Sequence, residues 1–140
     1  MHRMIALSLG TIVAVAGFGL GLAANEKPTP EFQNIMKSNG ATNAALRMHI
    51  QAKDYDGIAA DAATLKANYA KIEAFWTAKK VDDAIAFAKS GAKGAADLET
   101  AAKAKNDEGV AAASRAVAST CGGCHMAHRE QLPDKSYEIK

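Results

Sequence analysis

From Pro30 onward no stretch of this chain alternates apolar and polar residues as a half-buried strand would. Apolar side chains recur instead at three- and four-residue steps. That period restricts the chain to helices, each burying one stripe. Alanine is abundant and aromatic residues make up only 6% of the 140, a composition that favours helix further.

Capping and breaking residues divide this helical run into four. Thr29-Pro30-Glu31 reads as a helix start: a hydroxyl cap, proline at the first helical position, then an acid. The first helix is expected to end near Lys53, where Asp54-Tyr55-Asp56-Gly57 breaks it. A second is expected from about Ile58 to Ala78, with Ile58, Leu65, Tyr69, Ile72 and Trp76 tracing one buried stripe. A third begins near Val81-Asp82-Asp83 and continues to about Lys105, with Gly91 and Gly94 marking a place where it could break or bend. Asn106-Asp107 caps a fourth that reaches about Leu132, where Pro133 stops it. Helices of about 20 to 25 residues with short connections imply an all-α, antiparallel up-down-up-down four-helix bundle.

The first 24 residues are of another kind. His2 and Arg3 form a short basic start, Met4 to Leu22 is uncharged and rich in Ala, Gly, Leu, Ile and Val, and Ala23 and Ala24 offer small residues for cleavage. This is the pattern of an export signal, which leaves residues 25–140 as one domain and places it in the periplasm. The apolar run approaches spanning length, but its glycines and the small residues at its end favour removal, so no stable membrane anchor is expected. The remaining residues suffice for a single domain. Charge is nearly balanced, 17 Lys and Arg against 15 Asp and Glu, and the basic residues are scattered, which argues against a nucleic-acid partner.

The fourth helix carries the chemistry. It reads Cys121-Gly122-Gly123-Cys124-His125, the five-residue pattern for covalent attachment of one haem c. Two thiols one helical turn apart lie on one face, within reach of the two vinyl groups of a porphyrin, and the next residue brings an imidazole to the iron. The chain has only these two cysteines, which excludes a four-thiolate zinc site. No alternation of strands with helices provides a scaffold for a thioredoxin-like redox pair. Val110, Ser114, Val117, Cys121, Cys124 and His128 make one inward stripe, so the macrocycle is expected to insert into the bundle. Gly40, Ala41, Ala44 and Ala45 on the first helix either make room for a flat ring or are ordinary helix filler.

With His125 as the proximal iron ligand, the other face must be served from another helix. Met126 and His128 stand on the proximal helix. Met36 is near the start of the first helix, level with His125 near the end of the fourth if the two are antiparallel neighbours. Met48 and His49 lie about 18 Å further along, and His49 suits a polar end-of-helix role. Geometry alone leaves Met36 as the distal ligand or as a core methionine beside the ring.

A C-terminal helix bearing Cys121-x-x-Cys124-His125, then His128 and Arg129, resembles the class II cytochromes c, four-helix-bundle proteins related to cytochrome c prime. The segment Ile35-Met36-Lys37-Ser38-Asn39-Gly40 is similar to the low-spin branch, whose methionine ligand sits at this point of the first helix. The resemblance implies thioethers at Cys121 and Cys124 and iron held by His125 and Met36. It also implies that Arg129 lies near the proximal face and Gln33 near the haem propionates. For Arg129 a solvated charge favourable to the helix dipole is the competing role. Two positions depart from the family: Phe32 stands where many members carry arginine, and His128 where many carry an aromatic. His128 either covers the haem edge or makes the potential depend on pH.

A histidine and a thioether on one iron suit outer-sphere electron transfer and leave no open coordination position. The expected function is therefore a one-electron carrier that docks with redox partner proteins, with no catalytic residue. The alternative is a five-coordinate, cytochrome c prime-like protein that binds nitric oxide or carbon monoxide, which follows if Met36 only packs. A peroxidase has the least support, because no distal histidine–arginine pair is placed to activate peroxide. The resemblance also allows a homodimer through two-helix contacts.

Overall fold

The computed structural model describes residues 25–140; the expected export signal lies outside the described residues. Four helices follow one another: α1 (Pro30–Ala52), α2 (Tyr55–Lys79), α3 (Asp82–Lys103) and α4 (Asp107–His128). A short hairpin closes the chain, β1 (Arg129–Gln131) and β2 (Tyr137–Ile139). The chain is all-α in its body. Connections of two or three residues turn each helix back along its predecessor, so α1 packs on α2, α2 on α3 and α3 on α4. Among the described residues no helix is long and apolar enough to cross a membrane.

The caps are local chemistry. Thr29 Oγ1 accepts from the Phe32 amide at 3.2 Å with Pro30 in the first turn, Asp54 accepts from the Gly57 amide at 3.0 Å, and Asn106 accepts from the Gly109 amide at 3.0 Å. α1 and α2 end on lysines in the left-handed region, Lys53 at φ 53° and Lys80 at φ 58°. In each the lysine amide donates back to the last-turn carbonyls.

The centre of the bundle is the α2–α3–α4 seam. Ile58, Leu65, Leu98 and Val117 are its largest fully buried side chains. The stripe Ile58, Leu65, Tyr69, Ile72, Trp76 is buried as its period implies. α3 does not break at its glycines. It presents Ala84, Ala88, Gly91, Gly94, Ala95 and Ala102 to its neighbours, and a Cβ on Gly91 would fall inside the Tyr69 ring. The glycines are there so that helices can approach, and the helix continues through them.

Two boundaries differ from expectation. α2 begins at Tyr55, three residues before Ile58, because Asp54 caps it; Gly57 is not a breaker but sits in the first turn of α2, where a Cβ would meet the His49 ring at 2.8 Å. α4 ends at His128, four residues before Leu132. Arg129 turns extended (φ −127°, ψ 132°) and pairs with Ile139. The Asp134-Lys135-Ser136 turn, with Asp134 accepting from the Ser136 amide at 2.9 Å, supplies the second strand that the helical reading left out. Glu26 bonds to both backbone groups of Ile139, at 2.9 and 2.8 Å, so the two ends of the described chain are tied together.

A candidate cofactor cavity between the first and last helices

α1 and α4 stand apart, and the space between them is a cavity of about 830 Å³, within the range of sites that hold a cofactor. One wall is α4, with Thr120, Cys121, Cys124, His125 and His128. The facing wall is α1, with Gln33, Met36, Asn39, Gly40 and Asn43. Tyr69, Ile72 and Trp76 of α2 and Phe87 of α3 close the back. Arg129, Tyr137 and Glu138 of the hairpin, with Lys27 and Pro28, form the rim at one end.

Every residue singled out from the sequence as a site residue therefore lies on one cavity: Gln33 and Met36 from one end of the chain, Cys121, Cys124, His125 and Arg129 from the other. Met48 and His49 do not line it. Met48 is exposed, and the His49 Nδ1 pairs with Asp61 at 2.8 Å, the end-of-helix role expected of it. Met126 points outward and is 77% exposed. Of the small residues on α1, Gly40 lines the cavity whereas Ala41, Ala44 and Ala45 do not; Asn39 and Asn43 take their place.

The two cysteines are free thiols, both half-buried. The Tyr69 hydroxyl lies 3.1 Å from the Cys121 sulfur, which orients that thiol; burial and this contact push the Tyr69 phenol well above its ordinary value. Burial, then the charge of Asp83 and the neighbouring Cys121, push the Cys124 thiol up to about 11. At neutral pH it is protonated. Burial lowers the pKa of His125, and the Arg129 guanidinium lowers it further, which favours the neutral imidazole with a lone pair to give to a metal. Gly123 lets Phe87 pack against the backbone between the thiols, since a Cβ there would meet the ring at 2.7 Å. Gly122 has nothing within 4 Å of a Cβ position.

Other side chains give the far half of the cavity its character. Gln33 donates to the Pro28 carbonyl at 2.8 Å, which holds the incoming chain across the rim. Phe32 stacks on Phe75 at 3.9 Å, an apolar role that arginine at this position could not fill. His128 Nε2 lies 2.9 Å from Asp83, and its ring sits 5.1 Å from that of Trp76. Arg129 lies over the Tyr137 ring at 4.5 Å. Sequence reasoning placed Tyr69 and Trp76 on the buried stripe of α2 but did not see that its lower half faces the site. Asp83, Phe87 and Asn39 gave no signal of their own.

Two buried polar atoms among the described residues lack a hydrogen-bond partner, Asn39 Oδ1 and Trp76 Nε1. Both residues line this cavity. Buried polar groups are ordinarily paired, so these two atoms are available to polar atoms of whatever enters the cavity. No three His, Cys, Asp or Glu side chains among the described residues converge to cage a bare ion. The donors offered are two thiols, one thioether and two imidazoles, that of His128 already paired with Asp83, which suits a ligand that carries its own metal donors. Searches of family models, of curated proteins and of solved structures each return no match to this chain.

Proposed function

We propose that this chain is an exported, periplasmic c-type cytochrome of the class II kind, carrying one haem c and passing single electrons between redox partner proteins. The observation that carries this reading is the cavity itself, with Cys121, Cys124 and His125 on one wall and Met36 on the wall opposite. Its volume, its two unpartnered polar atoms and its donor set all fit a porphyrin.

Each residue has a part. Cys121 and Cys124 hold the macrocycle through thioethers, and the Tyr69 hydroxyl fixes the direction of the first sulfur. His125 would offer its neutral imidazole and Met36 a soft thioether sulfur to the iron of such a group. Phe32, Ile72, Trp76 and Phe87 keep water from the ring, which lowers the reorganisation that accompanies a change of charge. A haem bound there supplies a one-electron ferric–ferrous couple. If Met36 as well as His125 serves the iron, no position is left for a substrate, and electron transfer is the chemistry the site would support.

The test is spectroscopic. The full chain, produced in an exporting host with c-type maturation, is expected to be coloured and to give a low-spin ferric spectrum at neutral pH. Met36→Ala is expected to convert it to high spin. A wild-type spectrum that is already high spin, with prompt carbon monoxide binding after reduction, would replace the carrier with the gas-binding alternative.

A further inference from the structure

The chain has a single tryptophan, and its placement is unusual. Trp76 is only 3% exposed, near the C-terminus of α2. Phe32 of α1 meets its ring edge-on at 6.0 Å and Phe75 at 5.2 Å, so the indole is clamped on two sides. The ring of His128 tilts against it at 5.1 Å. Its N–H, a group that can only donate, finds no acceptor in the protein, although the residue lines the cavity. An apolar ring of similar size would fill this space without leaving a buried donor unpaired. The wall is therefore adapted to an acceptor that arrives with the occupant.

The charge around that point says what kind of acceptor. His128 is committed through Nε2 to Asp83, Lys79 to Glu26, and the Gln33 amide to the Pro28 carbonyl. Lys27 and Arg129 line the same cavity, as do Lys37 and Arg47, and none of these forms an ion pair among the described residues. The acids on that rim are Asp134, whose carboxylate accepts from Ser136, and Glu138. A buried donor without a partner, on a cavity whose lining also carries Lys27 and Arg129, is a site for a carboxylate.

We propose that the indole N–H of Trp76 binds a carboxylate side arm of the macrocycle, with Lys27 and Arg129 supplying counter-charge at the rim. This rests on the reading of the cavity as a haem site and adds to it a residue that sets the orientation of the ring. A carboxylate held by a buried N–H stays ionised to lower pH, and its negative charge favours the ferric state. Trp76 is thus a positioning residue that also tunes the potential.

Because Trp76 is the only indole, its ultraviolet resonance Raman N–H band reports this contact alone. In pigmented wild-type protein, in buffer free of carboxylates, the band is expected to be that of a strongly hydrogen-bonded indole and to titrate with the carboxylate in acid. Trp76→Phe keeps the ring and removes the donor. It is expected to leave covalent attachment intact and to move the acid rise of the midpoint potential up by about one pH unit, a tenfold change in proton affinity. An indole band of the free type, or one that does not change between pH 3 and 8 on the order of the titration range of carboxylates, overturns the subsite while the haem reading stands. A titration that vanishes in Asp83→Asn assigns the acceptor to the protein and also overturns it. Colourless wild-type protein overturns both the subsite and the reading beneath it.

Discussion

α2 and α3 meet through alanine and glycine, with Leu98 and Leu65 filling what space remains, and among the described residues no buried side-chain nitrogen or oxygen of α3 lacks a partner. α1 and α4 do not close on each other in the same way. They face across a cavity whose walls carry thiols, two imidazoles, a thioether and two buried polar atoms without partners. The same helical pattern and the same small residues build both regions. One is closed as folded, and the other is left open as a cavity. Packing energy therefore concentrates in the seam, and chemistry concentrates where packing was withheld.

The sharpest break in that comparison is removal of the two cavity thiols. Cys121→Ala with Cys124→Ala is expected to abolish covalently bound pigment on a haem-stained denaturing gel while the seam still folds, as read by helical circular dichroism. Leu98→Ala acts on the other region alone. A fully buried leucine replaced by alanine is expected to cost about 2–5 kcal/mol in urea unfolding, with the Cys-His pattern untouched. The cleft also leaves a kinetic mark before it is filled. Because the Cys124 thiol is pushed up to about 11 from an ordinary 9.0, its alkylation by iodoacetamide in pigment-free protein at a pH of about 8 is expected to run about a hundredfold slower than that of an exposed cysteine. The difference should disappear as pH passes 11.

Glycines sharpen the contrast further, since one substitution has opposite signs in the two regions. Gly91→Ala puts a Cβ into the Tyr69 ring, and this overpacking is expected to outweigh the gain in helix propensity, for a loss of about 1–3 kcal/mol. Gly40→Ala meets nothing within 4 Å and is expected to stabilise pigment-free protein by about 0.5–1 kcal/mol. The smallest effect is electrostatic. Lys103 and Lys66 hold the Glu99 carboxyl down to about 2, from an ordinary 4.5. Its folded value is depressed, so its contribution is complete above pH 4.5 and fades as pH falls through 2. Glu99→Gln should lower the thermal midpoint slightly at pH 7 and leave it unchanged near pH 2. Salt should weaken the difference, because the pair is at the surface.

Much of the fold could be read from residues one at a time. Thr29, Asp54 and Asn106 mark helix starts because capping is a contact over three residues, and the α2 stripe is buried because a period of 3.6 puts it on one face. The hairpin after His128 was not legible. Its reason to form lies in Ile139 and Glu26, one near each end of the described chain, whose backbones pair only once the bundle has brought them together. The roles of Gly57 and Gly91 were not legible for the same reason, since the His49 and Tyr69 rings they accommodate lie on other helices.

The site divides along the same line. Residue types and local spacing were enough to select Cys121, Cys124 and His125, which share one helix, whereas Met36 needed the level of two helices and Gln33 and Arg129 were nominated only by the family resemblance. Residue types and spacing determined as well that the chain would be helical, for helix is a property of neighbours along the backbone. Only the tertiary structure decided that α1 and α4 stand apart around about 830 Å³, that Tyr69 reaches Cys121, and that the Trp76 N–H faces the cavity without a partner. Those are distances between helices, and they depend on how far small residues at Gly91 and Ala88 let the seam close. No window of sequence contains both sides of such a contact.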